Sequence, residues 1–290
     1  MLRFFLGFGI ALLLSANLSA EIQECYSSQA ILSEIDENTL VLVDIDKTSV
    51  KSATHLGSEA WHKHLQKKTA DWGISDSVLV PLVTRIMQNT VYIAVEKTTP
   101  GLIAELQAKK HLIFAFTGRL MVAPWDPQFS RATHNHLKAA GINFELTHIP
   151  AQFAHKKFPS SFAHGIIFSN WQPKGPVLKH FLTELDHHPA KVVLIDDQLS
   201  FLHSVEKSMA EMKIPFVGFH YRLCEKEERE FDPLIANIQL QHLEEKGSIL
   251  SERKALLAKK RLLKRKPSIN PDFYLDKLFI DLVEKQMVVR

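Results

Sequence analysis

Cysteine is scarce: the chain of 290 residues holds two, Cys25 and Cys224. A disulfide scaffold is thereby excluded, although a single bridge between them would suit an oxidising compartment. There is no Cys-x-x-Cys pair, so a thiolate zinc site is not indicated. Internal repeats and long low-complexity tracts are missing, and 46% hydrophobic with 23% charged residues excludes wholesale disorder. Charge of one sign is lacking too: a net +3 is too small to make nucleic acid the partner of the whole chain. No apolar run reaches the ~20 residues of a membrane span.

The nearest approach to such a run is at the start. Arg3 precedes the apolar stretch Phe4–Leu14, interrupted by Gly7 and Gly9, and Ser15–Ala20 is small and polar apart from Leu18. Charge, apolar run and small-residue end predict a secretory signal peptide over residues 1–20 cut near Ala20, hence an exported (periplasmic or secreted) protein. The chain is long enough for one large α/β domain with inserts.

In the stretch Thr39–Thr48 the apolar Leu40–Val43 runs straight into Asp44, followed by Asp46 and Thr48. A short continuous apolar run predicts a strand buried on both faces of a parallel sheet. Ligands of such sheets bind beyond the carboxyl ends of the strands. Taken alone, the two acids fit either a reactive site or an ordinary turn. Two more strands decide between them. His111–Phe116 ends at Thr117–Gly118–Arg119, and Lys191–Ile195 ends at Asp196–Asp197. Three apolar strands that each switch to reactive groups at one end exceed what turn chemistry predicts.

Between these strands the spacing predicts helices over Gly57–Lys68, Asp76–Asn89, Phe129–Ala140, Lys174–Leu185 and Ser200–Met212, with further strands at Asn143–His148, Gly165–Phe168 and Ile214–Phe219. Glu21–Asn38 reads as an exposed lead-in with a short helix. The alternation predicts an α/β fold: a Rossmann-like, doubly wound parallel sheet in residues 21–240, a small helical cap inserted at 49–99, and C-terminal helices in 241–290. Ser248–Lys266 is a basic helix with an apolar stripe, either a solvated face docked on the domain or a surface for a membrane or host protein. Tyr274–Val283 has helical apolar spacing and predicts a packed last helix.

The ordered set Asp44-Ile45-Asp46-Lys47-Thr48, Thr117, Lys174-Gly175 and Asp196-Asp197 resembles the haloacid dehalogenase-like (HAD) hydrolases of the DxDxT phosphatase type. Within them it looks like the uncharacterised DUF2608 group of bacterial pathogens. The resemblance covers about residues 39–220. It implies a phosphatase for a small phosphorylated substrate, with Asp44 as nucleophile and Asp46 as acid and base. Thr117 and the Gly118 amide would bind phosphate, and Lys174 would neutralise charge. A Mg²⁺ cofactor would be held by Asp44, Asp46, Asp196 and Asp197. Lys179 is a second candidate for the lysine. Arg119 could touch phosphate or form a local ion pair. The histidines, His134 and His136 among them, read as scattered packing or surface residues rather than a transition-metal site. Trp125 and Trp171 are weak candidates for specificity. The competing expectation is an exported binding or effector protein on the same scaffold, acting through residues 248–266. Oligomeric state and the pairing of Cys25 with Cys224 stay open.

Overall fold

A computed structural model describes residues 20–122, 128–153 and 156–288. The predicted signal peptide and Trp125 therefore lie outside the described residues, apart from Ala20. The chain begins with β1 (Ala20–Cys25) and β2 (Thr39–Val43). Next come β3 (Val50–Ser52), α1 (Glu59–Trp72), α2 (Asp76–Asn89) and β4 (Tyr92–Ala94). The following units are α3 (Thr99–Ala108), β5 (Leu112–Thr117), α4 (Phe129–Ala139), β6 (Phe162–Ala163) and β7 (Ile166–Phe168). They lead into α5 (Lys174–Glu184), β8 (Lys191–Asp196), α6 (Leu199–Glu211) and β9 (Phe216–Tyr221). The C-terminal helices are α7 (Glu225–Arg229), α8 (Pro233–Lys246), α9 (Glu252–Arg265) and α10 (Phe273–Val288).

One sheet organises the chain, in the order β1-β9-β8-β2-β5-β7-β6. All its pairings are parallel except β6 with β7. β2 is central, with Val43 level with both Ala115 and Ile195. Its apolar run is buried because alternate side chains serve opposite layers. Val41 and Val43 join Ile113, Ala115, Val193 and Ile195 against Leu102 and Leu106 of α3 and Leu137 of α4. Leu40 and Leu42 join Phe114, Phe116, Val192 and Leu194 against α5 and α6. Helices thus cover both faces, and the doubly wound sheet expected from the sequence is the one observed.

The segment between β2 and α3 leaves the sheet and returns to it. Its ends are tied by the antiparallel pair β3–β4, Val50 opposite Ala94 and Ser52 opposite Tyr92. Helices α1 and α2 then pack on the C-terminal helices rather than on the sheet. Trp61, Leu65, Leu79 and Ile86 share a cluster with Leu240, Leu243, Leu275 and Phe279. Fully buried Gln239 accepts from the Leu56 amide through its side-chain Oε1 at 2.9 Å, tying α8 to the backbone that leads into α1. Among the described residues no helix is long and apolar enough to cross a membrane.

Two local expectations are corrected. Residues 20–25 form an edge strand in register with β9, Ala20 opposite Phe216 and Cys25 opposite Tyr221. The polar residues of that strand, exposed on the sheet margin, hide its period. Asn143–His148 is not a strand but contains a 3₁₀ turn at Phe144–Leu146. Phe144 is buried while Leu146 is 69% exposed, whereas a strand would put both on one face. The Asn143 side chain accepts from the Glu145 amide at 3.0 Å and so stabilises the turn against a ladder. Cys25 and Cys224 are both buried, and no disulfide joins them.

α5 and α6 approach closely at Gly175, whose amide donates to Ser204 Oγ at 3.0 Å. A Cβ there would overlap the Ser204 carbonyl. Gly175→Ala is expected to cost about 1–3 kcal/mol of stability through forced separation of the helices, read as a lowered urea midpoint with an unchanged slope.

Candidate active site

Asp44 follows β2 directly, and its amide continues the ladder by donating to the Ile195 carbonyl at 2.9 Å. The chain then turns sharply. The Ser49 and Val50 amides both donate to the Ile45 carbonyl, and Ser49 Oγ donates to the Asp44 carbonyl at 2.6 Å. Fully buried Ile45 anchors the turn in the core. Lys47 adopts φ +61°, a left-handed conformation unusual for a side chain of its size. That conformation lets Lys47 pair with both Asp197 and Glu59.

Lys174, at the first position of α5, is fully buried. Its Nζ donates to Asp44 Oδ1, Asp196 Oδ2 and the Phe116 carbonyl, each at 2.6 Å. The ammonium also sits 5.2 Å and 4.9 Å from the ring centres of Phe116 and Phe201. Burial alone would lower its pKa, but the two carboxylates outweigh burial and raise it, so it stays charged. Lys179 is no rival, because it is exposed and paired with Glu211 at 2.8 Å.

Asp44, Asp196 and Asp197 come together, with ligand oxygens within 4.8 Å of one another. Asp196 Oδ1 accepts from the Gln198 amide at 2.8 Å. Asp44 Oδ2 is buried and has no hydrogen-bond partner. Burial pushes Asp44 well up, Lys174 opposes this, and the neighbouring acids add to it. Asp197 is pushed up to about 7, by burial first and against the pull of Lys47. A hard divalent cation fits this all-oxygen set: it would supply a partner for the orphaned Asp44 oxygen and offset the crowded negative charge.

Asp46 points elsewhere. Arg119 grips it through two bonds, Nε to Oδ2 at 2.8 Å and Nη2 to Oδ1 at 2.6 Å. Burial would raise the Asp46 pKa, but Arg119 outweighs burial and holds it below the usual carboxylate range. Arg119 is itself buried, lies 5.1 Å over the Tyr92 ring and donates from Nη1 to His136 Nδ1 at 3.1 Å. His136 stacks on Tyr92 with ring centres 4.2 Å apart. Burial and the adjacent guanidinium push His136 down to about 3, so it is a neutral acceptor at physiological pH. Thr117 is fully buried, and its Oγ1 accepts from the Arg119 amide at 3.1 Å. Gly118 borders the same cavity as Asp44 and Asp46.

The structure thus joins Asp44, Lys174, Asp196 and Asp197 in one centre and sets Asp46 beside it on Arg119. Sequence reasoning missed Lys47, although it lies inside the motif and balances the third acid. Tyr92 and His136 gave no local signal, since only folding brings them to Arg119. His134 of α4, Glu145 of the 3₁₀ turn and His164 of the turn leading into β7 also converge, with His164 Nδ1 2.6 Å from Glu145 Oε1.

The fold and the centre define an α/β protein with a buried lysine–carboxylate cluster at the carboxyl ends of a parallel sheet. The chain belongs to the family described as "Protein of unknown function (DUF2608)", which it matches over residues 20–255. A "Putative outer membrane protein" of Chlamydia trachomatis serovar D is 27% identical over 233 residues, covering 78% of this chain and 85% of that protein. A Chlamydia muridarum protein of the same name is 24% identical over 229 residues, covering 78% and 84%. Among solved structures, a HAD family hydrolase from Deinococcus radiodurans R1, with bound phosphate and sodium, has a TM-score of 0.35 at 12% identity. It covers 71% of this chain and 98% of its own.

Removing Lys174 strands two buried carboxylates. Lys174→Met is expected to lose about 3–5 kcal/mol, measured by chemical denaturation at neutral pH. The Asp46–Arg119 pair has a pH signature. A depressed carboxylate pKa contributes stability above the usual carboxylate range and loses it as pH falls through the folded value. Arg119→Ala should therefore be about 1 kcal/mol less stable at neutral pH, given that Asp46 is partly solvated. That gap should close in acid, in parallel denaturation curves of the two proteins.

Proposed function

We propose that this chain is an exported, metal-dependent phosphatase that hydrolyses phosphomonoesters through an aspartyl-phosphate on Asp44. The observation that carries the reading is Asp44 itself: buried at the end of the central strand, one oxygen held by Lys174 and the other unpartnered, at the margin of a cavity. A carboxylate fixed on one oxygen and free on the other is oriented as a nucleophile. The N-terminal pattern and the outer-membrane names of the chlamydial relatives support the export half of the reading.

In this mechanism an Asp44 oxygen attacks phosphorus and the ester oxygen leaves with the electron pair of the broken bond. Mg²⁺ held by Asp44, Asp196, Asp197 and the Asp46 carbonyl would supply positive charge against the phosphoryl oxygens. Lys174 keeps Asp44 in register and offsets its charge. Arg119 is the group a phosphate dianion would engage through two parallel bonds. Drawing Arg119 toward phosphate loosens its hold on Asp46, whose pKa then rises into the range where it can carry a proton. Asp46 gives that proton to the departing oxygen and later takes one from the water that cleaves the aspartyl-phosphate. The Gly118 amide and Thr117 would position phosphoryl oxygens. Residues 49–99 form the cap of this reading, standing over the strand ends together with the C-terminal helices.

Asp44→Asn is expected to abolish phosphate release from an aryl phosphate while leaving the far-ultraviolet circular dichroism unchanged. EDTA should abolish wild-type turnover and added Mg²⁺ restore it. Wild-type turnover that persists in EDTA would remove the metal from the reading, and no turnover on a panel of phosphomonoesters with Mg²⁺ would overturn the reading itself.

A further inference from the structure

The cavity that borders Asp44 and Asp46 measures about 1140 Å³, above the roughly 300–1,000 Å³ of most ligand pockets. A phosphate group occupies a small part of such a space. The rest runs between the 49–99 segment and the C-terminal helices, and its walls are unlike the centre. On α2, Val80, Val83 and Met87 recur at helical spacing and are half-buried. They adjoin the face on which Leu79 and Ile86 enter the helical cluster, and Val83, packed on that cluster, still borders the cavity. Phe231 and Leu256 also line the cavity, Leu256 being 41% exposed on the basic helix α9.

Several charged wall residues have partners within the wall. His55 pairs with Glu252 at 3.1 Å, Lys63 with Glu59 at 3.0 Å, and Lys259 with Asp232. A sugar or nucleotide would need polar partners along this wall, and the Ser52, Thr54, Ser58 and Thr69 hydroxyls there already donate to nearby backbone carbonyls, whereas the apolar side chains face the space. At the other end, Arg119 is a cationic side chain on the cavity wall suited to a phosphate, and buried Lys174 offsets the charge of Asp44.

We infer that the substrate is an amphiphilic phosphomonoester, whose phosphate meets Asp44 and Arg119 and whose apolar tail lies along Val80, Val83, Met87, Phe231 and Leu256. The inference rests on the phosphatase reading of the same site. Each methylene that reaches the wall should add up to about fourfold to kcat/KM, the value of burying one methylene. The gain should level off once the cavity is filled.

The test is a series of linear alkyl monophosphates from ethyl to dodecyl, kept below their micelle concentrations, assayed with Mg²⁺ beside an aryl phosphate. The expected result is a rise of at least a hundredfold in kcat/KM from ethyl to octyl, with the octyl-to-ethyl ratio cut at least tenfold by Val83→Asp. Leu256→Asp, on the opposite wall and partly exposed, serves as the second variant if the first does not fold. Turnover of aryl and ethyl phosphate with a flat or falling length series overturns the inference and leaves the phosphatase reading intact. If no phosphate is cleaved, that reading fails instead. Calorimetry of the wild-type protein with ethyl, butyl and octyl phosphonate then decides the inference: affinity that climbs with chain length sustains the amphiphile site, and affinity that does not overturns it.

Discussion

The Lys174 ammonium, held between Asp44 and Asp196 with no exposure to solvent, is the constraint on which the other features depend. A charge so placed is costly to desolvate and is tolerated only when its partners are fixed. Fixing them requires β2 and β8 to be neighbours, since each delivers one carboxylate at its end. It also requires α5 to start at that level, which in turn needs Gly175 for the close approach to α6. The main-chain carbonyl of Phe116 completes the cage from β5. The ammonium thus binds three strands and a helix to a single geometry.

Around that cage the acids are sorted by environment. Asp44 and Asp46 lie two residues apart, yet one faces a lysine in a dry interior and the other a guanidinium beside Tyr92 and His136. Their proton affinities are driven in opposite directions, upward for Asp44 and downward for Asp46. Two like groups with divergent titration can take different parts in one reaction, which a symmetric pair could not. Fully buried Ile45 between them holds the turn in the core, and the left-handed Lys47 that follows Asp46 turns the backbone back toward the sheet.

Much of the sheet was legible because a buried parallel strand leaves a continuous apolar run, and Leu40–Val43, Ile113–Phe116 and Val192–Ile195 all do. Asp44, Lys174, Asp196 and Asp197 were legible because each follows such a run or opens a helix. Strand β1 was not, since Glu21, Gln23 and Glu24 at the sheet margin carry no such run. The 3₁₀ turn at Phe144 was lost to a short side-chain-to-backbone bond that no periodicity records. Arg119 was visible as a residue but not as the partner of Asp46, because the pairing spans 73 positions and exists only once β2 and β5 lie side by side. The packing of α1 and α2 on α8 and α10 was hidden for the same reason: each helix shows an apolar stripe, and a stripe does not name what covers it.

That last packing links a segment inserted between β2 and β5 to helices that follow β9 in sequence. The apolar faces of α1 and α2 are covered by Leu240, Leu243, Leu275 and Phe279, which lie far along the sequence from them. The parallel sheet closes earlier in the sequence, at β9. Without the helices that follow β9, Trp61 and Leu65 would face water. The helical insert and the helices after β9 are therefore one cooperative unit, in which neither can be removed without wetting the other's apolar face.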